Sequence, residues 1–239
     1  MRKKVILILG ASSDLAIAFI HQEIGKYDYI IAHYHSNGSR LLDIQKEYTD
    51  KVKLVKADFA SIQELQNFID EIKSGIIPNY IIHFPAVECK LRKFEKIAIS
   101  DFQDNLQVSV LSVILILQNL LPLMAKEQYG KIVFILSIHT ITDGHEYISD
   151  YLTAKYSLLG LMKALTVEYK EKGIRINGVS PDMIETKFIS GLPRIAIEKK
   201  KNENMSKELL SVSDIVPTIA YLLDEASDCF FGQNIGLVR

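Results

Sequence analysis

The stretch Val5 to Ile20, VILILGASSDLAIAFI, decides the architecture. Its first five residues are apolar without alternation, and a strand of that kind is buried on both faces. At Gly10 the apolar run stops, Ala11 to Asp14 make a small polar turn, and from Leu15 an apolar helix runs to Gly25. A strand that turns tightly into a helix leaves free backbone N–H groups at the helix N-terminus, where an anion can sit. Small residues let a phosphate approach. Only Gly10 is a glycine in this turn, so the G-x-G-x-x-G spacing is absent, and a plain helix cap by Ser12, Ser13 or Asp14 is the competing reading.

The same unit recurs along the chain. Val5 to Leu9, Tyr29 to His33, Val52 to Val55, Tyr80 to Phe84, Ile132 to Leu136, Arg175 to Val179 and Ile235 to Val238 read as strands. Helices are expected at Leu15 to Ile24, Ser39 to Tyr48, Ile62 to Lys73, Phe102 to Leu123, Tyr151 to Glu171 and Asp214 to Leu223. Strands apolar on both faces need a helix layer on each side, so the expected fold is α/β: a single doubly wound Rossmann-type domain over residues 1–239, with about seven mostly parallel strands. No linker or repeat splits the chain. The polar stretch Glu198 to Lys207 reads as a solvated helix face or part of a flexible flap near residues 183–210.

Composition narrows the classes of function. In 239 residues, 28 Lys+Arg against 29 Asp+Glu leave a net charge of −1, which disfavours a nucleic-acid-coating or membrane-surface role. Hydrophobic residues at 48% supply a core. Cys89 and Cys229 are too few for a disulfide framework and suit a reducing cytoplasm. The apolar run Val5 to Leu9 is too short for a signal peptide. Leu106 to Ala125 is uncharged and long enough to span a bilayer, yet Gln107, Ser109, Ser112, Gln118, Asn119 and Pro122 interrupt it, so a buried helix, partly covered by another subunit, is expected. The histidines, among them His33, His35, His139 and His145, lack a carboxylate or Cys set at ligand spacing, and no metal is expected.

Chemistry gathers downstream. Tyr151 and Lys155 stand four apart on one helical face, and Ser137 sits at the carboxyl end of the strand Ile132 to Leu136, where ligands of doubly wound sheets bind. A lysine ammonium favours ionisation of a tyrosine, whose free pKa near ~10 is too high for a neutral-pH base, while a serine hydroxyl holds the reacting oxygen. The spacing alone is no better than chance. Its position after the serine strand gives it meaning.

In the order of these landmarks the chain resembles the short-chain dehydrogenase/reductase family, from Lys3 to about Val238, with a variant glycine-rich loop. Gly10, Asp58 after the third strand, Gly130-Lys131-Ile132-Val133, Ser137, Tyr151, Lys155, Asn177-Gly178-Val179-Ser180-Pro181 and Thr186 follow one another as the family's motifs do. The resemblance implies a nicotinamide coenzyme held by Gly10, Ser12, Ser13, Leu15, His35, Ser36, Asn37, Asp58, Phe84, Lys155, Pro181, Ile184 and Thr186. It further implies catalysis by Ser137, Tyr151 and Lys155 on a small carbonyl or alcohol, in a cytoplasmic homodimer or homotetramer.

Departures from the family pattern are local. Asp14 and Ala16 replace two loop glycines, so Asp14 must turn away from the phosphates; His83-Phe84-Pro85-Ala86 stands for Asn-Asn-Ala-Gly, and Asp182 for the glycine after Pro181. The helix Asn of the family's tetrad aligns with Ser109, which with water is expected in that role; Asn105 lies one turn away, about 6 Å along the axis. No carboxylate follows the second strand, where His35, Ser36 and Asn37 tolerate a 2′-phosphate, so NADP is expected over NAD, with NAD possible. His139, Asp143, His145, Glu146 and Asp150 suggest a polar wall for a sugar-like substrate. Two rivals remain. One is a dinucleotide-binding regulatory protein that has lost turnover, and the other a 3-oxoacyl-carrier-protein reductase docking an acidic carrier on Lys126, Lys131 and Lys172.

Overall fold

The computed structural model describes residues 2–239. Seven parallel strands form one sheet: β1 (Val5–Leu9), β2 (Tyr29–Tyr34), β3 (Val52–Lys56), β4 (Tyr80–His83), β5 (Gly130–Ile135), β6 (Ile174–Pro181) and β7 (Asn234–Leu237), in the order β3-β2-β1-β4-β5-β6-β7. Every adjacent pair is parallel, as right-handed helical crossovers require. The helices are α1 (Asp14–Glu23), α2 (Ser39–Glu47), α3 (Ile62–Ser74), α4 (Ile99–Leu106), α5 (Ser112–Lys126), α6 (Ser149–Tyr169), α7 (Arg194–Glu203) and α8 (Val212–Leu223).

The unbroken apolar pattern of β1 is explained by two cores. Val5, Leu7 and Leu9 face the layer of α3, α5 and α6, whereas Ile6 and Ile8 face that of α1, α2 and α8. Each of these side chains is essentially inaccessible, a burial that stabilises by about 1.5–3 kcal/mol apiece before entropy. The chain reverses direction of travel across the sheet between β1 and β4, and the crevice at their carboxyl ends is where doubly wound folds bind ligands.

Structure and expectation differ in two places, over the apolar helix and at Lys131. The apolar helix expected over Phe102 to Leu123 runs from Ile99 to Lys126 and is widened by a π turn at Gln107–Leu111. The span has the length and composition of a membrane helix, but half of its most apolar window is buried within the chain, against the sheet. The polar stretch after Glu198 continues α7 as a solvated helix face to Glu203, with Lys200 paired to Asp182 at 2.6 Å and Ile184 bridging Leu210 across the base of the segment. Finally, Lys131 is no docking residue. It is fully buried in β5, where its ammonium pairs with Asp228 at 2.7 Å and donates to Ser227 Oγ at 3.1 Å and to the Asp224 carbonyl. Lys131 therefore drops out of the carrier-protein patch, which keeps the exposed Lys126 and the half-buried Lys172.

Candidate active site

Gly10 ends β1 with φ +73°, a conformation that disfavours any side chain, and a Cβ there would meet Pro85 N at 3.2 Å. This lets the chain turn at once into α1, whose Ser13 caps the Ala16 amide at 3.2 Å. The capping role and an open anion site coexist. Among the described residues, the Ser12, Asp14 and Leu15 amides have no protein acceptor.

Asp14 lines the cavity with its neighbours in the turn, and two partners hold its carboxylate. Its carboxylate pairs with Arg40 at 2.8 Å and accepts the Lys187 amide at 2.7 Å. Burial raises its pKa, but the Lys187 amide and the Arg40 guanidinium outweigh that and hold it below the usual carboxylate range. Arg40 also donates to the Ser12 carbonyl at 3.0 Å. Reading β2 only as far as Asn37 missed this guanidinium, which stands in the first turn of α2; a basic residue one turn beyond the strand end was the available signal.

One cavity of about 1170 Å³ runs along the carboxyl ends of the strands. At one end it is lined by Ser12, Ser13, Leu15, Asn37 and Arg40, in the middle by Phe84, Pro181, Ile184 and Thr186, and at the other end by Ser137, Tyr151 and Lys155. Gly10 shapes the turn from behind. His35 and Asp58 face each other at 3.6 Å beside β2, and neither they nor Ser36 line the cavity. Ser109 is buried in the π turn, away from the cavity wall.

Tyr151 and Lys155 come from successive turns of α6, and Ser137 from the end of β5. The Lys155 ammonium donates to the Ile135 carbonyl at 2.8 Å and lies 5.5 Å from the Tyr151 ring centre. Burial lowers Lys155 to about 8. Burial likewise pushes Tyr151 above its ordinary value, the nearby Cys89 thiol adds to this, and the Ser137 hydroxyl acts against it. The expected lowering of Tyr151 by Lys155 is therefore not a property of the free protein: Tyr151 is protonated and a donor, suited to giving a proton to an oxygen. Cys89 lines the cavity beside this pair, its thiol pushed up to about 12 by burial. No spacing in the sequence marked it, because it lies in the loop after β4 and meets α6 only in space.

The wall opposite carries His139, His145, Glu146 and Glu88, next to apolar Leu91, Phe188, Leu192 and Ile195. Of the polar residues expected there, Asp143 and Asp150 do not line it. Asp150 is buried and accepts from Arg92 at 3.0 Å and from Asn105 at 3.2 Å. Arg92 also pairs with Asp101 at 2.7 Å, and its amide donates to the Tyr147 carbonyl at 2.8 Å. This network ties the loop after β4 to the start of α6, one residue before Tyr151, and it occupies Asn105. Among the described residues no group of His, Cys, Asp and Glu could hold a metal ion.

A family model described as enoyl-(acyl carrier protein) reductase matches residues 17–237. The chain is 23% identical over 239 residues to the 3-oxoacyl-[acyl-carrier-protein] reductase of Aquifex aeolicus, covering 98% of this chain and 96% of that protein. It is also 28% identical over 198 residues to the oxidoreductase UcpA of Salmonella typhimurium, covering 80% and 73%. Among solved structures, 4-hydroxyisoleucine dehydrogenase with NADH superposes with a TM-score of 0.89 at 21% identity, covering 99% of this chain and 97% of that one. The gluconate 5-dehydrogenase of Burkholderia cenocepacia with NADP and tartrate gives 0.88 at 17% identity, covering 100% and 94%. With its parallel sheet, its open strand-to-helix turn and its Ser137, Tyr151 and Lys155 on one cavity, the chain belongs to the short-chain dehydrogenase/reductase family of oxidoreductases.

Proposed function

We propose that the protein interconverts a carbonyl and a secondary alcohol with a nicotinamide coenzyme, preferring NADP over NAD. One observation carries this reading: Ser137, Tyr151 and Lys155 share a cavity that continues without interruption to Ser12, Ser13, Asn37 and Arg40. The free amides at the start of α1 suit a pyrophosphate. Arg40 and Asn37 suit a 2′-phosphate, and the end of β2 offers no carboxylate to a bare ribose. Phe84, Pro181, Ile184 and Thr186 would flank the nicotinamide.

The coenzyme, when bound, supplies or accepts hydride. Everything else falls to the chain. In reduction, Ser137 holds the carbonyl oxygen and Tyr151, kept protonated by burial, donates its proton to that oxygen. Lys155 then faces a tyrosinate and stabilises it, and its ammonium is placed to bind the ribose once released from the Ile135 carbonyl. Ser109, buried in the π turn and off the cavity wall, would join the proton path only through water, since Asn105 is bound to Asp150.

The substrate is a small molecule reaching Ser137 between the polar groups His139, His145 and Glu88 and the apolar side chains of Leu91, Phe188 and Leu192. Two further features belong to this reading. The apolar face of the helix from α4 through the π turn to α5, with Leu111 of the π turn 51% exposed and Val167 of α6 71% exposed, suits a homodimer or homotetramer interface. The free thiols of Cys89 and Cys229 suit the cytoplasm.

The purified protein is to be tested with NADPH and NADH against carbonyl sugars, ketoacyl thioesters and simple ketones. Tyr151→Phe should lower turnover at least ~10²-fold with coenzyme affinity nearly intact. Turnover within about threefold of wild type would overturn the assignment of Tyr151.

A further inference from the structure

His33 lies in β2, 3% exposed, with its ring stacked on Phe59 at 3.8 Å and set edge-on to Phe68. The Gly10 amide donates to His33 Nδ1 at 3.1 Å, and His33 Nε2 lies 3.0 Å from the Ala57 carbonyl. A carbonyl only accepts, so Nε2 carries the proton, and an amide only donates, so Nδ1 keeps its lone pair. The two bonds together fix one neutral tautomer. The His33 backbone carbonyl in turn accepts the next amide, that of Ala11, at 2.7 Å. One residue therefore binds both successive amides of the chain as it leaves β1, immediately before the free amides of Ser12, Asp14 and Leu15.

We propose that His33 is a positioning residue for the dinucleotide turn, its neutral imidazole clamping Gly10 so that the free amides behind it stay aimed at the pyrophosphate. This rests on the coenzyme reading above. The clamp compensates for the missing loop glycines: with Asp14 and Ala16 in their places, the turn keeps its shape through His33 on one side and the Asp14 bonds to Arg40 and Lys187 on the other.

Three variants separate the clamp from general packing. In His33→Asn the amide oxygen can take the place of Nδ1 and accept from Gly10; in His33→Gln the longer amide can reach Ala57 but offers Gly10 nothing; His33→Leu does neither. Coenzyme affinity is read from NADPH fluorescence, and exchange of the Gly10 amide by NMR in the free protein. His33→Gln and His33→Leu should weaken binding about tenfold or more, the scale of one buried hydrogen bond, and should speed Gly10 exchange. His33→Asn should bind within about threefold of wild type and keep Gly10 protected. Equal affinity in the Asn and Gln variants, or Gly10 exchange independent of the acceptor, would overturn the clamp. A wild-type protein that binds neither coenzyme while Gly10 exchange still follows the acceptor would instead overturn the coenzyme reading, and with it the clamp's role in binding.

Discussion

Arg40→Ala separates the two coenzymes. The guanidinium is 41% exposed, so its contact with a 2′-phosphate belongs at the lower end of the roughly 1.5–3 kcal/mol range for hydrogen bonds to charged groups, about tenfold in affinity. Its loss also strips Asp14 of a partner at 2.8 Å and leaves that carboxylate, 20% exposed, with only the Lys187 amide. An uncompensated charge near the pyrophosphate costs about 1 kcal/mol, or roughly fivefold, even at the bulk-water limit. That second penalty falls on both coenzymes. NADH should therefore weaken about fivefold and NADPH about fiftyfold, so the preference ratio falls about tenfold. Adding Asp14→Asn should restore NADH affinity while leaving NADPH weak. Fluorescence titration of both reduced coenzymes against wild type, the single variant and the double variant reads all of this. An unchanged preference ratio in Arg40→Ala would refute Arg40 as the 2′-phosphate partner, and failure of Asp14→Asn to recover NADH would refute the repulsion argument.

Lys131→Ala should cost about 1–3 kcal/mol by stranding buried Ser227 and the Asp224 carbonyl, while Asp228 keeps Arg175, lowering Tm by about 2–12 °C in a calorimetric scan, whereas Lys131→Met should lose less because its apolar chain refills the space. Lys155 is lowered by burial to about 8, while a free lysine titrates near ~10.4, so between those values the unfolded chain holds the extra proton and stability rises with pH, by up to about 1.4 kcal/mol per unit. The urea midpoint of wild type should accordingly gain on that of Lys155→Met between about pH 7.5 and about pH 9.5; a constant difference would show that the lysine is not desolvated. Light scattering should report a dimer or tetramer that Leu111→Glu with Val167→Glu dissociates, and a wild-type monomer at micromolar concentration would exclude the interface on α4, α5 and α6.

The fold was legible because its signals are local. A five-residue apolar run without alternation, rich in β-branched residues and ended by Gly10, reads as a strand buried on both faces, and its alternate residues do divide between two helix layers. Ser137, Tyr151 and Lys155 were legible for a similar reason, since a strand end and one helical turn fix relative positions within a few residues of chain. What the tertiary structure alone decided are contacts between segments that no periodicity relates. Asp14 meets Lys187 across 173 positions, Arg40 comes back over the turn at Ser12, Cys89 stands beside Tyr151, and Lys131 of an interior strand finds Asp228 in the loop before β7. Charge states followed the same division. A sequence names a titratable group, but burial and its neighbours set the proton, which is why Tyr151 is held protonated and Lys155 is lowered when spacing alone suggested that the lysine would ionise the tyrosine.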